Sequence, residues 1–209
     1  MFDLIVKDFK FTRKPIWLTI VYCLAIPPLL VLDGGTKLYF ASFFIPYFTV
    51  SMVVGKICAI EDTASMRTVI KLLPYSSHTK IAARYFFMLA LLSATMSYLV
   101  VVQYVFFESG TLKGLIKDNF ILAIVYACYF SIYLLLYYSF GYLVAQNSIY
   151  VCIGIAFIGT LLYEKTDLNI DFQDLLSGRY YVPLAIFGVG IIFLMFTVSC
   201  VGVNKRDLI

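Results

Sequence analysis

Long apolar runs alternate with short polar segments along all 209 residues of the chain. Six runs can be interpreted as membrane-spanning helices, which need about 17 to 25 residues when untilted. They cover residues 16–32, 38–59, 85–107, 120–143, 149–163 and 181–203. The fifth run is the shortest, so its polar flanks would have to complete the crossing. The pattern predicts an all-α polytopic membrane protein in which residues 16–209 form one six-span domain.

The composition supports a membrane location. Hydrophobic residues make up 62% of the chain and charged residues only 13%, whereas about 25% of residues in a typical soluble domain are charged. A soluble core of this size could not bury so much apolar surface. The net charge of +4 follows from an uneven distribution of basic residues across the membrane, so we expect no nucleic-acid partner.

Basic residues indicate the orientation of the predicted bundle. If the N-terminus is cytoplasmic, only five of the 16 lysines and arginines fall in outer segments, namely Lys37, Lys113, Lys117, Lys165 and Arg179. An excess of basic residues on the cytoplasmic side is the usual arrangement in membrane proteins. We therefore predict a multi-pass protein of the cell membrane with both termini in the cytoplasm.

Residues 1–15 are predicted to form an amphipathic helix that lies at the membrane interface and ends before Pro15. Its apolar face would consist of Phe2, Ile5, Val6 and Phe9. Two interpretations stay open. The helix either anchors the chain and orients the first span, or acts as an elbow that passes the movement of a partner to that span.

The segment between the second and third runs is too polar for the hydrocarbon. Placing its charges at the bilayer centre would cost roughly 15–20 kcal/mol; they are Glu61, Asp62, Arg67, Lys71, Lys80 and Arg84. Apolar residues at helical spacing predict a short amphipathic helix, and these are Met66, Val69, Ile70 and Leu73. Pro74 should end this helix, and Ser76 or Ser77 should cap the next one. We predict a cytoplasmic helix, a sharp corner and a second helix. On residue patterns alone, the apolar stripe could lie on lipid or be received by another protein.

The sequence offers no candidate catalytic site. His78 is the only histidine, and the GxSxG and HExxH patterns are absent. Residues 33–37 read DGGTK, without the spacing of a phosphate-binding P-loop. We interpret Glu61 and Asp62 as a solvated pair at a helix start. We therefore expect no enzymatic activity, metal or cofactor in this chain.

Pro27 and Pro28 lie near the outer end of the first predicted span. Consecutive prolines remove helical hydrogen bonds, so we expect a break in the helix there. The break is either a tolerated kink or an outer gate.

The six spans, the cytoplasmic termini, the basic elbow helix and the stretch EDTASMRTVIKLLPYSSHTKIAARYF resemble the permease subunits of bacterial ABC-2-type transporters. In that family the corner between spans two and three often reads Leu-Pro, then small or polar residues, then a basic residue leading into an apolar helix. Leu73-Pro74, Ser76-Ser77, Lys80 and Arg84 follow this order, whereas Tyr75 and His78 depart from the usual residues.

The resemblance implies that the corner is a coupling helix, inserted into a cleft of a separate ABC ATPase subunit that binds ATP and Mg²⁺. Apolar residues of the corner would then fill the cleft, charged residues would make ion pairs at its rim, and Pro74 would stiffen the connection. The residues so implicated are Glu61, Asp62, Met66, Arg67, Ile70, Lys71, Leu73, Pro74 and Tyr75. The resemblance also implies that the chain pairs with a second permease copy, as a homodimer or heterodimer. Membrane lipid would be a further partner.

The cargo is predicted from the lining that the spans can provide. The chain has 17 tyrosines and 19 phenylalanines, and its spans carry almost no charge, which suits amphipathic or hydrophobic cargo better than ions or sugars. We favour export of a peptide toxin or antimicrobial peptide. The alternatives are lipid or drug efflux, an immunity permease, and a membrane assembly or immunity factor that transports nothing.

Overall fold

A computed structural model describes residues 2–32, 38–72, 74–106, 112–148, 150–151 and 181–206. Regular structure in these ranges is helical, without a strand. The helices are α1 (Phe2–Phe11), α2 (Arg13–Leu32), α3 (Leu38–Glu61), α4 (Ala64–Leu72), α5 (Ser77–Phe106), α6 (Leu112–Phe140) and α7 (Tyr181–Arg206). Residues 142–148 are also helical. The predicted all-α class is confirmed.

Within the part of the chain that the structure describes, three helices are long and apolar enough to cross a membrane: Ser77–Val105, Gly114–Phe140 and Val182–Val203. They coincide with the third, fourth and sixth predicted spans. Helices α2 and α3 occupy the first and second predicted spans and have 20 and 24 residues. The fifth predicted span lies almost entirely outside the described residues, as do the predicted loops 33–37 and 164–180, so the six-span count stays a prediction.

Helix α1 ends at Phe11, before Pro15. The helix breaks at Thr12, and Pro15 lies in the first turn of α2. Proline is tolerated there because a first-turn N–H has no partner within the helix. On α1, Leu4 and Asp8 are buried against the other helices, whereas Val6 and Phe9 of the predicted apolar face are exposed. That this face lies on the membrane stays a prediction.

Helix α2 continues through Pro27 and Pro28 to Leu32. The expected helix break at these prolines is therefore wrong. Proline fixes φ near the helical value, so it can sit within a helix when the loss of the hydrogen bond is tolerated. The gating role of the two prolines stays a prediction.

Helix α6 begins eight residues before the fourth apolar run (120–143) and ends three residues before that run does. Residues 112–119, assigned to an outer loop from sequence, belong to the helix, and Asn119 Nδ2 donates to Gln103 Oε1 of α5 (2.6 Å). Hydropathy marks the hydrocarbon-facing part of a helix and misses polar turns stabilised in this way. At the other end, Gly141 adopts φ 100°, a left-handed conformation that ends helices and favours glycine.

Helices α6 and α7 pack side by side and run parallel. Gly188 of α7 lies beside Ile124 of α6, and Gly202 lies beside Ser139, so residue numbers rise together along the contact. The end of α6 at Phe140 and the start of α7 at Tyr181 therefore lie at opposite ends of this contact. The core is shared by α3, α5 and α6, and its fully buried side chains include Val50, Val54, Met88, Leu99, Phe130 and Leu134.

Two glycines of α7 give a matched test of this packing. A Cβ on Gly188 would overlap Ile124 Cγ2, whereas one on Gly190 would meet nothing within 4 Å. We expect Gly188→Ala to destabilise the protein by about 1–3 kcal/mol through overpacking. Gly190→Ala should be neutral or stabilising by up to about 1 kcal/mol, because alanine is the better helix former. Thermal unfolding in a mild detergent measures both, and equal shifts would contradict the α6–α7 contact.

Candidate functional site: the corner between α4 and α5 and its base

The corner has the predicted order of helix, bend and helix. Helix α4 ends at Leu72, the bend contains Pro74 and Tyr75, and α5 begins at Ser77. Of the two candidate caps, Ser76 is used, because its Oγ accepts a hydrogen bond from the Thr79 N–H (3.3 Å). A serine at this position satisfies one of the free N–H groups of a helix start.

A single lysine ties the two helices of the corner together. Lys80 Nζ donates to the Ile70 carbonyl oxygen (2.7 Å). This carbonyl lies in the last turn of α4, where a cation also interacts favourably with the helix dipole. The contact joins the end of α4 to the first turn of α5.

The apolar stripe of α4 is divided between two sides. Met66 and Ile70 are half-buried against the chain's own helices, whereas Val69 is 50% exposed and Leu72 is 79% exposed. Among the other predicted coupling residues, Arg67 and Lys71 lie within α4, Asp62 and Tyr75 are half-buried, and Leu73 lies outside the described residues. Sequence reasoning missed Leu72, although Val69 and Leu72 have the i, i+3 spacing of one helix face.

The base of the corner is held by ion pairs around Arg84, which is only 4% exposed. Its Nη2 lies 2.6 Å from Glu61 Oε1, and its Nη1 lies 3.2 Å from Asp8 Oδ2. Glu61 ends α3 just before the corner and Arg84 follows it in α5, so their contact closes the corner at its base. Asp8 adds helix α1 to the same junction.

Lys7 completes a group that we call the base cluster: Lys7, Asp8, Glu61 and Arg84. Lys7 Nζ lies 2.9 Å from Glu61 Oε1 and 3.6 Å from Asp8 Oδ1. The cluster contains two cations and two carboxylates, so its formal charges balance. This matters because removing one partner from a buried ion pair leaves an uncompensated charge.

The base cluster corrects the interpretation of Glu61 as part of a solvated pair. Glu61 is 9% exposed, and its carboxylate already binds Arg84 and Lys7. A carboxylate at a helix C-terminus opposes the helix dipole, and these two cations offset that cost. The sequence did contain a signal for this cluster. Arg84 directly precedes the third apolar run, and Glu61 lies just after the second, so both were expected at the same membrane surface. An ion pair between Glu61 and an ATPase stays a prediction. Glu61 would then have to bind the ATPase while it also binds Arg84 and Lys7.

The pKa values of the two carboxyl groups of the base cluster are shifted in opposite directions. Burial raises the pKa of Asp8 above its ordinary value of 3.8; Arg84 opposes this shift, and the neighbouring Glu61 carboxylate adds to it. Burial acts upward on Glu61 too, but Arg84 and Lys7 lower the pKa of Glu61 below its ordinary value of 4.5. Glu61 is therefore the carboxylate that the surrounding cations stabilise in its charged form.

Opposite pKa shifts predict opposite pH dependences. Glu61→Gln should destabilise the protein by about 1.5–3 kcal/mol at neutral pH, because it weakens hydrogen bonds to a charged group. Since a lowered folded pKa contributes stability that is lost as pH falls through it, this difference from wild type should shrink below pH 4.5. The raised pKa of Asp8 contributes stability to the wild type that is lost as pH rises through that pKa. Asp8→Asn should therefore destabilise the protein less than Glu61→Gln does. Its stability relative to wild type should increase as the pH is raised to neutral.

Unfolding midpoints measured in a mild detergent from acidic to neutral pH would check both variants. The same pH profile for Glu61→Gln and Asp8→Asn would show that the cations do not favour Glu61 over Asp8.

No group of three or more His, Cys, Asp or Glu side chains that could hold a metal occurs in the described ranges. In the base cluster the two carboxylates face two cations, so an added metal ion would meet like charge.

Comparison with known proteins identifies the family. A family model described as "ABC-2 family transporter protein" matches residues 3–204, which include α1, the corner and nearly all of α7. A comparison with curated proteins found no match, and neither did one with solved structures. The match extends over almost the whole chain, and it includes the corner on which the sequence resemblance rested. The chain belongs to the ABC-2 family of transporter proteins.

Proposed function

We propose that this chain is the membrane-spanning permease subunit of an ATP-driven exporter, and that α4 is its coupling helix. The carrying observation is the exposed apolar pair Val69 and Leu72 on a short helix whose C-terminal turn is hydrogen-bonded to α5. An apolar pair with polar surroundings is suited to a cleft on a partner protein. The partner would be an ABC ATPase subunit that binds ATP and Mg²⁺, which this chain does not need to bind.

The base cluster supports a route by which α4 could move the spans. A displacement of α4 would reach α5 through the Lys80–Ile70 hydrogen bond, and from α5 it would reach α3 through the ion pair between Arg84 and Glu61. Asp8 would carry the same displacement to α1, which then serves as an elbow helix ahead of the first span. Ion pairs in a buried site couple elements tightly because separating them exposes unpaired charge.

The proposed topology has six spans and cytoplasmic termini in the cell membrane. Its support in the structure is the parallel contact of α6 and α7, because the intervening chain has to return to the opposite end of the bundle. The excess of basic residues on the N-terminal side supports the orientation. A second permease copy would complete the translocation path, as a homodimer or heterodimer.

The favoured cargo is an amphipathic peptide such as a toxin or antimicrobial peptide. A cavity of about 240 Å³ between α2, α3 and α5 has a largely apolar lining. Its polar groups are hydrogen-bonded within the chain: Thr19 to the Ile16 carbonyl, Cys23 to Thr49, Thr95 to the Leu92 carbonyl and Tyr98 to the Cys23 carbonyl. A lining of this kind offers little to an ion or sugar, and accepts hydrophobic groups of a peptide or lipid.

Affinity purification of the tagged chain from its native membrane in a mild detergent tests the proposal. We expect a P-loop ATPase to co-purify in stoichiometric amount, and its ATP hydrolysis to depend on the chain. Reconstitution with that ATPase in vesicles would then separate peptide from lipid or drug transport. A chain that purifies without an ATPase would favour the assembly or immunity factor that transports nothing.

A further inference from the structure

The outward surface around α1 and the start of α2 carries basic residues whose charge is not neutralised by the protein. Lys10, Arg13 and Lys14 are exposed, and none of them has an ion-pair partner among the residues that the structure describes. This distinguishes them from Lys7, which is held in the base cluster. These three side chains are therefore available to an anion from outside the chain.

Exposed aromatic side chains lie among these cations. Phe9 and Phe11 of α1 are exposed, and Trp17, in the second turn of α2, is 61% exposed. Aromatic rings and basic side chains occur together where a protein surface meets the headgroup region of a bilayer. The position agrees with the chain order, because α1 precedes the first predicted span directly.

A recess on α1 is lined by both basic and apolar side chains. It has a volume of about 400 Å³ and is lined by Val6, Lys7, Lys10 and Phe11. Lys7 and Lys10 are one helical turn apart and therefore reach the same side. The Lys7 Nζ lies 6.0 Å from the centre of the Phe11 ring, and the Lys7 side chain is partly exposed beside the recess. Two ammonium groups with apolar walls match a charged headgroup joined to a hydrophobic body.

We propose that this recess binds the headgroup of an anionic phospholipid of the inner leaflet. Lys10 binds the headgroup phosphate, while Lys7 is shared between that phosphate and the Glu61 carboxylate. Val6 and Phe11 pack against the glycerol and the first methylene groups of the lipid. Free phosphate would use the two lysines and leave the apolar walls in water, so the lipid is the better occupant. Because Lys7 also belongs to the base cluster, the lipid contacts the junction of α1, α3 and α5.

Trp17 provides an internal probe, since it is the only tryptophan in the chain and lies two helical turns beyond Lys10. The purified full-length protein is reconstituted in phosphatidylcholine vesicles that contain a fixed fraction of brominated lipid. The brominated lipid is either phosphatidylglycerol or phosphatidylcholine, and quenching of Trp17 fluorescence reports which lipid is enriched beside it. We expect brominated phosphatidylglycerol to quench more strongly at the same mole fraction, with the preference declining as salt is raised.

Lys10→Gln should reduce the preference for the anionic lipid about fivefold, as expected for one basic residue near a charged membrane surface. Lys56→Gln is the matched control, because Lys56 is an exposed lysine of α3 that does not line the recess. Equal quenching by the two lipids, or an equal loss in the two variants, would overturn the proposal. If inorganic phosphate at constant ionic strength abolishes the preference, the site binds free phosphate and the assignment to a lipid is wrong.

Discussion

We expect Arg84→Leu to destabilise the protein by about 3–5 kcal/mol, the largest effect of any single substitution at the base cluster. Leucine removes the cation that lies between Asp8 and Glu61. Two buried carboxylates then face each other with only Lys7 to balance them. The unpaired charge, rather than the lost attraction, sets the size of the effect, because an ion taken out of water without a partner is the costly state.

The unfolding midpoint of the purified variant in a mild detergent measures this effect. Arg84→Lys keeps the charge and loses the two-pronged geometry that bridges separate carboxylates, so it should fall between wild type and Arg84→Leu. A triple variant that combines Arg84→Leu with Asp8→Asn and Glu61→Gln should recover much of the loss, since no buried carboxylate is left unpaired. An unchanged midpoint for Arg84→Leu, or no recovery in the triple variant, would contradict the proposed role of charge balance.

The second large effect concerns the outer side of the corner. We expect Leu72→Asp to weaken association with the ATPase by roughly 30-fold or more, which corresponds to the loss of a residue central to an interface. Leu72 is the most exposed apolar residue of α4, so the charge should leave the folding of the permease unaffected. In a partner's cleft, the same carboxylate would be buried without a cation designed to meet it.

Co-purification of the ATPase and its permease-stimulated ATP hydrolysis measure this second effect. Leu72→Met is the matched control, because it keeps an apolar side chain of similar size at the same position. Both variants should unfold at the wild-type temperature. Full retention of the ATPase by Leu72→Asp would show that this face of α4 is not the docking surface.

The two predictions separate two functions of one small region. In the proposed mechanism, the outer face of α4 would contact the ATPase, and the base cluster would determine whether a force on α4 moves the spans as a unit. A variant such as Glu61→Gln could therefore keep the ATPase bound while weakening the transfer of movement to α3. Measurement of ATPase binding and of transport in the same variant would distinguish the two functions.

Local sequence patterns determined the helical architecture and the position of the corner. Apolar runs identify α5, α6 and α7 because a helix in hydrocarbon has to satisfy every backbone group internally and cover it with apolar side chains. Pro74 and the serines after it determine the bend, since proline lacks an N–H and serine caps the next helix. These effects act within a few residues, so the chain order alone reveals them.

Only the tertiary structure decided which side of each amphipathic segment is buried. In α4 the bundle covers Met66 and Ile70 and leaves Leu72 exposed, although all three are apolar. In α1 it buries Asp8 rather than Phe9, against the ranking by hydrophobicity. The reason is the base cluster: Asp8, Glu61 and Arg84 come from three helices far apart in the chain, and a buried guanidinium stabilises acidic groups that hydrophobicity would assign to water. Such pairing depends on the distance between folded helices, which no local pattern contains.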